Sequence, residues 1–74
     1  MTARVYVFLK KTVLDPQGQA VKNALVGLGH KGVEEVRQGK VFEIELQPGT
    51  DLDTIAKEVL TNPVIEDYRI EYAG

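Results

Sequence analysis

The chain has no cysteine, no serine and no tryptophan, and a single histidine, in 74 residues. Without cysteine there is neither a disulfide nor a thiolate metal site. One histidine, His30, rules out a His-rich metal cluster, and the missing serine removes the commonest hydroxyl nucleophile. Thr12, Thr50, Thr54 and Thr61 have no evident base nearby in sequence. No apolar run approaches the roughly 20 residues of a membrane span, and Met1–Arg4 runs straight into a strand instead of a signal peptide. Nor is there an excess of positive charge: nine Lys+Arg stand against eleven Asp+Glu, a formal charge of −2. That balance argues against a nucleic-acid binder, which shows a basic face. The expectation is a cytoplasmic protein without membrane or nucleic-acid partners.

A chain of this length makes one domain, residues 1–74, that buries only about 60% of its unfolded surface. Small scaffolds need a staple. With disulfides and metals eliminated, the remaining staple is another protein or a second copy.

What is present begins with Val13-Leu14-Asp15-Pro16-Gln17-Gly18-Gln19-Ala20. Asp15 is a good helix N-cap, and Pro16 suits the first helical position. Gly18 costs roughly 1 kcal/mol relative to alanine inside a helix. Its use there is either a sign of close approach by another backbone or chain or a merely tolerated glycine, and this residue alone does not choose between them. A helix follows over Pro16–Leu28, with Ala20, Val21, Ala24, Leu25 and Leu28 on one stripe and Gly29 closing it in the left-handed conformation. His30, at the helix end, reads as solvated.

The strands read by alternation. Arg4–Lys11 places Val5, Val7 and Leu9 on one face and Tyr6 and Phe8 on the other. Two apolar faces mark a strand covered on both sides, so Tyr6 and Phe8 are candidate partner contacts. Val33–Arg37 reads as a short strand joined by a Gln38-Gly39 turn to Lys40–Gln47, where Phe42, Ile44 and Leu46 alternate with Val41, Glu43 and Glu45. Thr50 is the expected cap of a second helix bearing Leu52, Ile55, Ala56, Val59 and Leu60, stopped by Asn62-Pro63. Ile65–Tyr72 is the last strand. The order β-α-β-β-α-β predicts an α+β two-layer sandwich: a ferredoxin-like antiparallel sheet, first and third strands central, both helices on one face.

No chemistry fits these residues. Gly27-Leu28-Gly29-His30-Lys31-Gly32 matches G-x-G-x-x-G on paper but lies at a helix end, where a phosphate loop has no use for it. The strand-to-helix turn is acidic and lacks the Lys-Ser/Thr pair. Phe42, flanked by Val41 and Glu43 with Glu45 beyond, does not make an RNA-binding sheet. A small-metabolite-binding regulatory module is the alternative that this topology leaves open.

Four segments carry a resemblance: Val13–Ala20; Leu25-Val26-Gly27-Leu28-Gly29; Val33-Glu34-Glu35-Val36-Arg37-Gln38-Gly39-Lys40; and Leu60-Thr61-Asn62-Pro63-Val64-Ile65-Glu66-Asp67-Tyr68. In order and spacing they resemble the PurS family, small subunits of phosphoribosylformylglycinamidine (FGAM) synthase. The resemblance implies a non-catalytic assembly subunit in purine synthesis, dimeric or tetrameric. It would bridge a large synthase subunit, which uses ATP and Mg, and a glutaminase subunit that releases ammonia. It implies no catalytic, cofactor or metal residue on this chain. The candidate partner or oligomer contacts are Tyr6, Phe8, Asp15, Gln17, Gly18, Arg37 and Lys40.

Overall fold

The computed structural model describes residues 1–73. Three strands form one antiparallel sheet in the order β2-β1-β3, with β1 at Thr2–Leu9, β2 at Gly39–Glu45 and β3 at Glu66–Ala73. β1 is central because alternate residues on it are small or β-branched: Ala3, Val5 and Val7 are fully buried. Its two partners place Phe42 and Ile70 beside Val5, and Lys40 and Tyr68 beside Val7. A four-residue helix, α2 at Leu52–Ile55, runs into a π-helical turn at Ala56–Leu60 and covers this face through Leu52 and Ala56. Among the described residues these five apolar side chains, Ala3, Val5, Val7, Leu52 and Ala56, make the buried core, with Phe42, Ile44, Leu46, Leu60, Tyr68 and Ile70 packed partly buried around it.

The opposite sheet face carries charged pairs along the register beside Tyr6, Phe8 and Val41. Arg4 lies between Glu43 and Glu71, within 3.4 Å and 3.9 Å of them. Lys10 meets Asp67 at 2.8 Å.

Four expectations from the sequence are corrected. Val33–Arg37 is not a strand, so the sheet has three strands and not four, and the Lys40 strand is an edge. The reason lies in the backbone around it. The Gln38 N–H is taken by Asp15, and the Arg37 side chain reaches back to carbonyls before the helix. The segment is tied to the start of the helix at its Arg37-Gln38 end and runs as coil, with no hairpin to the Gly39 strand. Gly39 accordingly has no positive φ; it lies where a Cβ would strike the Phe8 ring and the Val7 carbonyl. Second, helix α1 at Pro16–Gly27 does not lie on the sheet: its only buried residue is Gly18. Of the expected stripe, Leu25 is half-buried and Ala20, Val21, Ala24 and Leu28 are exposed. Third, the second helix is capped by Asp51, whose carboxylate accepts from the Thr54 N–H, while the Thr50 hydroxyl donates to the Gln47 carbonyl. Fourth, Ile55 and Val59 of its expected stripe are exposed. The helix-closing Gly29 does adopt positive φ, 100°.

The result is an elongated molecule. Its radius of gyration is 15.4 Å, against about 11 Å for a compact chain of this length. Its accessible surface is 5441 Å², against about 4,500 Å² for a compact monomer of this mass.

Candidate functional site: the arm and its root

Residues 16–37 leave the sheet as an arm made of α1 and the coil that returns from it. Its root is closed by two short-range devices. The Asp15 carboxylate, only 6% exposed, accepts from the Gly18 N–H at 2.9 Å and from the Gln38 N–H at 2.7 Å. One bond caps the helix; the other ties the outgoing chain to the returning one. Arg37 Nη2 closes the opposite side, donating to the carbonyls of Lys10 at 2.9 Å, Val13 at 3.1 Å and, more weakly, Leu9 at 3.4 Å. Gln38 Nε2 adds a 2.8 Å bond to Gln17 Oε1. These backbone N–H donors, Gln38 first and Gly18 second, hold the Asp15 carboxyl below the usual carboxylate range.

Gly18 fits this geometry. A Cβ there would collide with the Val36 carbonyl oxygen and the Asp15 carboxylate. Of the two readings of Gly18, close approach holds, and it is made to this chain's own returning backbone.

Beside the root an open trough of about 500 Å³ is lined by Val7, Leu9, Asp15, Pro16, Gln17, Gln38, Gly39, Lys40 and Glu66. It occupies the end of the sheet face that α2 leaves uncovered. Lys40 lies at its edge with Nζ 5.7 Å from the centroid of the Phe42 ring.

The seven candidate contacts therefore divide. Asp15, Gln17, Gly18, Arg37 and Lys40 gather at the root and trough. Tyr6 and Phe8 lie apart on the other sheet face: Phe8 is exposed, and Tyr6 is half-buried under the Arg69 guanidinium. Sequence reasoning missed Val36, which acts through its backbone carbonyl, and Gln38, whose main tie to Asp15 is a backbone N–H; neither backbone role leaves a side-chain signal. It also missed the trough, which exists only because α1 is elsewhere.

Among the described residues no three His, Asp or Glu side chains are grouped to hold a metal ion. Among the same residues no helix is long and apolar enough to cross a membrane.

The PurS description, phosphoribosylformylglycinamidine (FGAM) synthase, matches residues 2–74. The chain belongs to the PurS family. It is similar to the PurS subunit of phosphoribosylformylglycinamidine synthase from Mycobacterium leprae, 51% identical over 71 residues, which cover 92% of this chain and 90% of that one. The fold is similar to Bacillus subtilis PurS, with a TM-score of 0.83 and 44% identity over 95% of this chain and 94% of that one. It is also similar to Methanocaldococcus jannaschii PurS, one of the subunits of formylglycinamide ribonucleotide amidotransferase. There the TM-score is 0.84 and the identity 36%, over 95% and 92% of the two chains. As a PurS-family member the chain is a subunit of FGAM synthase, a glutamine-dependent ligase complex of purine biosynthesis.

Proposed function

We propose that the chain is the complex's cytoplasmic assembly part: it carries no active site, associates with a second copy of itself, and holds the large synthase subunit against the glutaminase subunit. ATP and Mg belong to the large subunit in this reading. Keeping the two enzymes in register has a chemical purpose. Ammonia released from glutamine is protonated near neutral pH, and ammonium is no nucleophile, so a shielded path preserves its reactivity.

The observation that carries the reading is uncovered apolar surface. The chain exposes about 900 Å² more than a compact monomer of its mass, close to the 800 Å² that each partner hides in a standard interface. Part of it is on α1, where Val21 and Val26 are exposed beside the half-buried Leu25, with the exposed Leu28 just beyond. The open trough beside Val7 and Leu9 lies where a sheet-covering helix belongs. A stripe without a cover and a sheet end that α2 does not reach, on one sequence, favour a second copy as the occupant.

Reconstitution tests the assembly role. With large and glutaminase subunits of the same complex, glutamine-dependent turnover is expected to require this chain, while turnover on supplied ammonia is not. Full glutamine-dependent activity without it would reject the reading. Tight stoichiometric binding of a nucleotide or amino acid by the isolated chain would favour a regulatory module instead.

A further inference from the structure

We infer that Asp15 and Arg37 are positioning residues for assembly: their clasp fixes the direction in which the arm leaves the sheet, keeping α1 off its own sheet and set for a second copy. This rests on the self-association reading above.

The geometry is that of a cross-braced root. Asp15 joins the start of α1 to Gln38, and Arg37 joins the returning chain to three carbonyls of the segment Leu9–Val13. The two braces lie on adjacent residues of the return path and on both sides of the outgoing one. Gly18 against the Val36 carbonyl leaves no slack between the two chains. Beyond the root, the arm's hydrogen bonds are internal: Leu28, Gly29, His30, Lys31 and Val33 each donate to a carbonyl of the arm itself. The arm's pose is therefore set at its root alone.

A flexible root would let α1 settle on its own open trough, satisfying stripe and trough within one chain. A braced root prevents that closure and also removes the ordering cost that a swinging arm would add on binding. Lost bracing should thus weaken association without removing either surface. Neither Asp15 nor Arg37 needs to touch the second copy.

The test uses the full chain. Asp15→Ser keeps a helix-capping oxygen but has no second oxygen for Gln38; Arg37→Met keeps the stem and loses the donors; Arg37→Lys restores one donor. Sedimentation equilibrium reads the dissociation constant, and circular dichroism reads the fold. Asp15→Ser and Arg37→Met are expected to weaken self-association by about tenfold or more, with Arg37→Lys between them and wild type and strand content unchanged. Folded clasp variants with the wild-type constant would overturn the inference while leaving self-association standing. A wild-type chain that stays monomeric at high concentration would sink both. If a variant does not fold, amide exchange in dilute wild-type protein decides: slow exchange at Gly18 and Gln38 is expected, and free exchange there overturns the clasp.

Discussion

The Arg69 guanidinium lies over the Tyr6 ring, 4.6 Å from its centroid, at facing positions of β3 and β1. The pair is on the sheet face away from the core, so its strength is that of an exposed cation–π contact, about 0.5–1 kcal/mol. Arg69→Ala is expected to lower the melting temperature by about 2–8 °C and to leave the dissociation constant of α1-mediated self-association unchanged. A large loss of self-association in that variant, read by sedimentation, would place this face in the same interface as the arm.

Two glycines of α1 should respond oppositely to alanine. At Gly27 a Cβ meets nothing within 4 Å, so Gly27→Ala should gain up to about 1 kcal/mol of helix propensity. At Gly18 the Cβ runs into the Val36 carbonyl, and the propensity gain is outweighed by an overpacking cost of about 1–3 kcal/mol. Thermal melts of the two variants should shift in opposite directions from wild type.

This pair also shows where the sequence was legible. Asp15-Pro16 announced the start of α1, and Gly18 raised a close approach as one of two readings, because both are local requirements of backbone geometry. The strands were legible from alternation, which depends only on one face being buried. Val33–Arg37 was misread for the same reason. Its pattern suits a strand, but pairing depends on where the segment is held, and the Arg37 side chain and the Gln38 N–H fasten its end to the start of the helix and not to a strand. The stripe on α1 records that the helix has a face to bury. It does not record in which chain, because the same apolar spacing serves a helix on its own sheet or on a neighbour's.

Acid should weaken the root. Hydrogen bonds from Gln38 and Gly18 depress the folded-state pKa of Asp15, so the unfolded chain binds the proton more readily. Stability from this group is therefore complete above the ordinary carboxylate range and lost as pH falls through the folded value. Asp51, held down by Thr54, and Glu45, held down mainly by the Thr2 hydroxyl, act in the same direction. Urea midpoints are expected to be flat near neutral pH and to fall below about pH 4, with a shallower fall in Asp15→Ser than in wild type. Equal acid slopes in the two proteins would show that Asp15 carries none of this dependence.

The exposed apolar side chains should not be equivalent. Val64, in the turn before β3, is 79% exposed, and Val21 on α1 is 41% exposed. By exposure alone, a charge is tolerated better at Val64, and neither substitution should move the stability of the isolated fold by much more than about 0.5 kcal/mol. If the α1 stripe is what a second copy covers, the effects on association separate sharply. Val21→Glu would bury an unpaired carboxylate at the interface, which the complex cannot tolerate without large loss. Val64→Glu, away from the arm, should associate like wild type. Sedimentation velocity on both, with circular dichroism as the control for helix content, is expected to give a monomeric Val21→Glu beside a Val64→Glu that self-associates normally. The reverse order would move the interface from α1 to the turn before β3.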